Sequence, residues 1–285
     1  MTTILKFLFI AMLAFPLWAT EDTVVLVADR DSPALNNLYK HLKKQTPNYN
    51  YKISTKSSRT EIDSDDFVIL VGAKIPKFLQ LANHKKTIAV LVTEAQSQKL
   101  NVNTSIWIEP PLSRQLKLSN LIIPGERKIG LLVNGSESRE LQLSHLTEAQ
   151  KAMLNVVDLA EFDNINQALF QVLKDTRLLL GTYDNEIYNA RNIKNILITS
   201  YRQQKVLIGP SRAYLKAGSF ATTFSDLDHI AKRVIDVIKH YNSEGEWIKP
   251  NYNPYYRILF NQQVARSLNL LIMDRAEIEE KMRED

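Results

Sequence analysis

The sequence predicts an α/β protein built as two Rossmann-like, doubly wound lobes joined by a hinge. Three observations carry this reading. Short unbroken apolar runs, VVLVA at 24–28 among them, alternate with stretches whose apolar residues recur at helical spacing. That alternation marks strands buried on both faces of a parallel sheet, with helices as the crossovers. The pattern is interrupted at Pro110-Pro111 and again at Pro124-Gly125, and then restarts, which is a repeat of architecture without a residue-level repeat. Finally, 285 residues with 45% apolar content suffice for two packed cores, and 10 prolines and 8 glycines are too few for long linkers. The expected division is a signal peptide at 1–19, a first lobe at 22–122, a second at 123–250, and a hinge-crossing segment with a C-terminal helix at 251–285.

In the first lobe the strand at 24–28 ends in Asp29, and Ser32-Pro33 supplies a helix N-cap and a proline at the first helical position. Leu35, Leu38, Tyr39 and Leu42 continue that helix. Strands are expected at 49–54, 67–71 and 88–92, a helix at 75–81, and another opened by Thr93 with Gln96 three residues on. A strand at 106–108 leads into a helical segment carrying Arg114, Leu116, Leu118, Leu121 and Ile122. The second lobe starts with a strand from Lys128, followed by Gly135-Ser136 and an amphipathic helix with Leu143, Leu146 and Met153. Strands at 154–159, 178–180 and 206–208 follow, the last opening into a long loop. Ser225, with Asp228 three residues on, has capping-box spacing for a helix with Leu227, Ile230, Ala231, Val234, Ile235 and Ile238 on its packed stripe. The aromatic stretch at 251–260 is expected to cross back over the hinge, ahead of a charged final helix at 274–284.

Composition narrows the function. Lys+Arg outnumber Asp+Glu 36 to 31, but the positives are scattered in ones and twos with no stacking aromatics between them, which argues against nucleic acid. Lys6 precedes an apolar run at 7–19 that is too short to span a bilayer comfortably and is bounded by Thr20-Glu21-Asp22. This is the pattern of a secretory signal cleaved after Ala19, which implies a periplasmic protein with no stable membrane insertion. Leu17 and Trp18 depart from the preferred small residues and leave an uncleaved anchor as the alternative. There is no cysteine, hence no disulfide, lipid-attachment cysteine or thiol nucleophile. Five scattered histidines do not suggest a metal site, and no cofactor is expected. With no G-x-S-x-G, G-x-x-x-x-G-K or H-E-x-x-H motif, the chain is not expected to be an enzyme.

The run SYRQQKVLIGPSRAYLKAGSFATTFSDLDHIAKRVIDVI resembles substrate-binding proteins of ABC transporters of the tryptophan/tyrosine type, whose S-x-x-Y-x-x-x-G-x-x-A-x-x-x-S loop is matched by Ser211, Tyr214, Gly218, Ala221 and Ser225. A second match, NQQVARSLNL, starts at Asn261, and a looser likeness covers most of the C-terminal half. The resemblance implies a type I periplasmic binding protein-like fold and a small-molecule ligand held between the lobes, an amino acid, with aromatic ones among the candidates. It implies an ABC permease as partner, or, for a chain that kept the fold and lost transport, a membrane signalling protein. The first lobe departs from the family: a Thr-Gly-containing loop is replaced by the compact PPLSRQ at 110–115.

Candidate ligand residues are read with their structural alternatives. Asp184 and Asn185, after the strand at 178–180, either cap the next helical segment or, by the resemblance, place Asp184 on a ligand amino group. Ser225 either caps a helix or marks an anion site at its N-terminus, with Ser211 and Ser219 as further donors. Tyr201 and Tyr214 stack on an aromatic ligand or fill core, and Gly218 permits tight backbone or touches ligand. Asp29, Arg30, Gly72 and Thr93 end the first-lobe strands and are expected to face the same cleft. Arg114 pairs with a carboxylate or forms a hinge salt bridge.

Overall fold

The computed structural model describes residues 22–125, 127–272 and 274–283. The expected signal peptide at 1–19 lies outside these. The chain runs β1 (Thr23–Ala28), α1 (Pro33–Gln45), β2 (Asn50–Thr55), β3 (Phe67–Val71), β4 (Lys86–Val92), α2 (Glu94–Ser97), β5 (Thr104–Trp107) and α3 (Leu112–Ile122). Next come β6 (Lys128–Val133), α4 (Gly135–Leu143), α5 (Glu148–Ala152), β7 (Leu154–Asp158), α6 (Ile165–Leu173), β8 (Thr176–Leu180) and α7 (Ile193–Arg202). The last elements are β9 (Val206–Ile208), α8 (Arg212–Ala217), β10 (Ala221–Phe224), α9 (Leu227–Glu244), β11 (Asn251–Tyr252), β12 (Arg257–Phe260), α10 (Gln262–Ser267) and α11 (Arg275–Arg283).

Two six-stranded sheets result, ordered β11-β5-β4-β3-β1-β2 and β12-β10-β9-β8-β6-β7. Every neighbouring pair is parallel except β10 with β12, so two doubly wound lobes form as the apolar runs predict. In the first sheet, Val24, Leu26, Ile69, Ile88 and Val90 are fully buried on one face, and Val25, Val27, Val68 and Leu70 are fully buried on the other. Both faces are covered, which is why these strands show no polar alternation. Among the described residues, no helix is long and apolar enough to cross a membrane.

The lobes are not the continuous segments the sequence suggested. Leu112, Leu116 and Leu118 of α3 pack in the core of the second lobe. Ile230, Ala231, Val234, Ile235, Val237 and Ile238 of α9 pack with β1 and α1 in the core of the first lobe. The boundaries near 122 and 250 are therefore corrected. The chain passes between lobes three times, between β5 and α3, between β10 and α9, and between β11 and β12. An amphipathic stripe states that a helix is covered, not which sheet covers it.

Three local expectations are also corrected. The stretch 75–81 forms no helix, and a single 3₁₀ turn follows at Leu81–Asn83. Pro76 biases Ile75 away from the helical region and a seven-residue helix nucleates poorly, while Leu79 and Leu81 still reach the core beside Val25 and Val27. The loop expected after β9 instead holds α8 and the buried strand β10, whose Thr222 and Thr223 are fully covered. The cap of α9 is Asp226, which accepts the His229 N–H at 3.1 Å, and not Ser225. Asp226 also pairs with Arg257 at 2.6 Å, which favours the carboxylate at that position. Ser225 lies one residue earlier, where its hydroxyl donates to the Tyr255 carbonyl at 2.6 Å across two inter-lobe passages.

Candidate ligand cleft

Parallel strands deliver their carboxyl ends to one edge of a sheet, and in this chain two such edges meet. Thr93 after β4, Glu109 after β5, Asn134 after β6, Thr182 after β8 and Pro210 after β9 all line one cleft of about 350 Å³. Tyr252 of β11 borders it as well. Gln115, 1% exposed, fixes the floor: its amide donates to the Gly209 carbonyl at 3.0 Å and its oxygen accepts the Thr223 hydroxyl at 2.8 Å.

The first-lobe wall begins with a complete capping box. Thr93 Oγ1 accepts the Gln96 N–H at 3.2 Å, and Gln96 Oε1 accepts the Thr93 N–H at 3.0 Å. This short helical turn presents Glu94, whose side chain is 8% exposed. His145, in the second lobe between α4 and α5, places Nε2 at 2.9 and 3.1 Å from the two Glu94 oxygens. The Tyr252 hydroxyl donates to Glu94 Oε2 at 3.1 Å, so one buried carboxylate joins both lobes and the passage between them. Trp107 stands edge-on to Tyr252 at 4.7 Å and is held by its own Nε1–H, donated to Ser97 at 2.8 Å and Ser105 at 3.0 Å.

Glu109 is the second acid of this wall. Its Oε1 accepts the Glu94 N–H at 2.6 Å, while its Oε2 is buried with no partner among the described residues. Burial pushes the Glu109 carboxyl up to about 7; the N–H bonds from Glu94 and its own backbone oppose the rise and the Glu94 charge adds to it. Beside it the Tyr183 hydroxyl is pushed up to about 12, by burial first and the Glu109 charge second. The Tyr252 phenol is raised for the same reasons, with Glu94 as the nearer charge. Both phenols therefore face the cleft as neutral donors.

On the second lobe, Asp184 Oδ1 accepts the N–H groups of Glu186 at 2.9 Å and Ile187 at 3.4 Å, and Oδ2 accepts the Ser138 hydroxyl at 3.0 Å. The Asn134 amide donates to the Glu186 carboxylate. Thr182, 6% exposed, leaves Oγ1 without a partner. Among the described residues, no cluster of histidines and carboxylates is arranged to hold a metal.

No protein-family model matches the chain, and no curated protein sequence matches it. Solved structures do. The ligand-free, open structure of CD0873, a substrate-binding protein with adhesive properties from Clostridium difficile, superposes with a TM-score of 0.65 at 13% identity, covering 89% of this chain and 96% of that one. An ABC domain in complex with L-Trp from Streptococcus pneumonia gives 0.54 at 15% identity, covering 92% and 98%. A periplasmic ribose ABC transporter protein from Conexibacter woesei gives 0.52 at 13% identity, covering 90% and 97%. The chain has the type I periplasmic binding protein fold.

Within this fold the residues singled out from sequence separate into groups. Thr93 and Asp184 line the inter-lobe cleft; Ser211 does not, and its side chain meets the hydroxyl of Tyr183, which does. Asn185 is exposed beside the cleft, and its carbonyl accepts the Asn189 amide at 2.9 Å. Asp29 and Gly72 line a different hollow, on the first lobe, where Lys74 pairs with Asp29 at 2.8 Å; the expectation that they share a cleft with Thr93 is thereby corrected. Tyr201 donates its hydroxyl to the Gly218 carbonyl and lines a hollow over α7. Gly218, with φ +128°, ends α8, so its role is conformational. Tyr214 packs edge-on to Tyr188 at 6.1 Å in the second-lobe core. Ser225 and Arg114 belong to the hinge: the Arg114 guanidinium donates to the Asn253 carbonyl at 2.9 Å and lies 4.0 Å over the Tyr256 ring.

Glu94, Glu109 and Thr182, which line the cleft, and His145, which bonds to Glu94, are residues that sequence reasoning missed. Glu109 was within reach, because it is an acid just beyond a predicted strand, the criterion that selected Asp29 and Asp184. His145 carries no local signal, since its meeting with Glu94 joins residues 51 positions apart from different lobes.

Proposed function

We infer that this protein is an exported solute-binding protein that encloses a small molecule between its lobes and hands it to an ABC permease. The observation that carries this reading is the cleft of about 350 Å³, fed by strand ends of both sheets and edged by two buried oxygens without partners, Glu109 Oε2 and Thr182 Oγ1. A buried polar atom with no partner costs free energy that a ligand group recovers. A ligand that touches both walls in the closed arrangement alone shifts the population toward closure, with the three inter-lobe passages as hinges. The resemblance to tryptophan/tyrosine-type binding proteins, and the L-Trp bound in a structure of the same fold, support an amino acid or a related small amphiphile as solute.

Thermal unfolding of the purified protein against amino acids, small amines, carboxylates and pentoses tests the reading. A ligand at about a hundred times its Kd adds roughly 2.7 kcal/mol. A shift confined to one chemical class and lost in Asp184→Ala supports a solute site at this cleft; a flat response to every class refutes it.

A second reading, docking to a membrane signalling protein, is favoured by one feature. Phe170 on α6 and Ile198 on α7, neighbouring helices of the second lobe, are 63% and 40% exposed. Deleting the gene separates the readings: the transport role expects uptake of the solute to stop, whereas the sensor role expects uptake to continue and the response to the solute to vanish.

A further inference from the structure

The character of the cleft narrows the solute. Glu94, Glu109, Glu137, Asp184 and Glu186 line it, and among its described lining residues there is no lysine or arginine. Backbone N–H groups at helix N-termini are the usual alternative for holding an anion. Here the chain's own carboxylates occupy several of them, and α4 opens without a side-chain cap, next to Glu137. Glu109 takes the Glu94 N–H, Asp184 takes those of Glu186 and Ile187, and Asp158 takes the Gly135 N–H at 2.8 Å. Among the groups left over, Glu109 Oε2 has no partner, and Thr182, 6% exposed and lining the cleft, has a hydroxyl with none. The rings of Tyr183 and Tyr252 add faces suited to a cation or an apolar body.

We propose that the cleft binds a small organic cation, an amine or quaternary ammonium that carries no carboxylate. The proposal rests on the solute-binding reading and replaces the amino acid expected from sequence by its decarboxylated counterpart. An α-amino acid would bring its carboxylate into a cavity lined by five acids, with no lysine or arginine among the described lining residues to meet it. An amine has Glu109 Oε2 as its acceptor, with the Thr182 hydroxyl alongside. The charged and titratable groups facing Glu109 are Glu94, with His145 and Tyr252 bonded to it, and Tyr183.

The test is a set of matched pairs that differ by one carboxylate: tryptamine and tryptophan, tyramine and tyrosine, agmatine and arginine, putrescine and ornithine, tetramethylammonium and glycine betaine. Calorimetry or a thermal-shift titration on the purified protein reads each Kd. At least one amine is expected to bind ten-fold or more tighter than its carboxylated partner, to weaken at least ten-fold in Glu109→Gln, and to tighten as pH rises from 6 to 8 and the carboxyl ionises. Far-ultraviolet circular dichroism of the variant checks that it is folded. Tighter binding of the carboxylated members, or binding of pentoses or simple carboxylates with none of the amines, overturns the cationic class and leaves the solute-binding reading standing. No binding of any compound by a folded protein overturns both.

Discussion

Replacing Glu109 by glutamine perturbs one buried proton and little else. The carboxyl sits against the Glu94 N–H with its second oxygen enclosed, and its pKa rises from the ordinary 4.5 to about 7. The folded state therefore holds the proton more tightly than the unfolded chain. The stability this confers is complete below pH 4.5, declines as pH rises, and is gone above the folded-state value of about 7. The span is roughly 2.5 pH units at about 1.36 kcal/mol each, so the change is at most about 3 kcal/mol. Glutamine keeps the shape and cannot ionise. Every other titrating group is common to both proteins, so the difference in Tm between Glu109→Gln and wild type isolates this site. Measured without ligand by calorimetry, that difference should move in favour of the variant from pH 4.5 to 8, by about 6 °C at roughly 2 °C per kcal/mol for a chain of this size. A constant difference across that range would mean the carboxyl is not held protonated by the fold. A difference moving the other way would mean the site stabilises the charged form, and the cleft would need another account.

Four further outcomes follow from packing. Ile238→Ala, at a fully buried position of α9, should cost about 2–5 kcal/mol, and hydrogen exchange should accelerate in β1 and β3, far away in sequence. Gly209→Ala should cost about 1–3 kcal/mol, because a Cβ there would stand 2.5 Å from Ser219 Oγ and 2.7 Å from Tyr214 Cβ; an unchanged denaturation midpoint would show that the turn yields. His145→Ala removes the second-lobe partner of a buried carboxylate, and should lower stability by about 1–3 kcal/mol and raise the ligand-free radius of gyration in X-ray scattering. Thr93→Ala removes half of a capping box, and about 1 kcal/mol lost in urea unfolding is the expected result.

Strands, sheet class and most helices of this molecule were legible because a strand buried on both faces must be apolar throughout and a packed helix must repeat its apolar positions. The runs at 67–71 and 206–208 coincide with β3 and β9, and Ser32-Pro33 opens α1 as read, with Ser32 Oγ accepting the Leu35 N–H at 3.2 Å. What failed was information of another kind. Whether Asp226 or Ser225 caps α9 depends on Arg257, 31 residues away, and whether α9 covers the first or second sheet depends on where the chain turns after Phe224. In the cleft, Thr93 and Asp184 follow from the rule that ligands sit beyond strand ends. Applied to the first-lobe strands, the same rule also selected Asp29 and Gly72, which end neighbouring strands and yet open onto a different hollow. The rule names an edge of a sheet, not which part of that edge meets the other lobe.

The three passages between lobes bear on the order in which the protein can be made. A ribosome releases the chain from its N-terminus, yet the first lobe lacks the helix that covers its core until residue 244 has emerged, and its edge strand until residue 252. The second lobe waits longer still, for β12 at Arg257–Phe260 and for Ile278 and Met282 in its core. Both lobes therefore complete their cores only when the last forty or so residues are in place, and this follows from how the two lobes share the sequence.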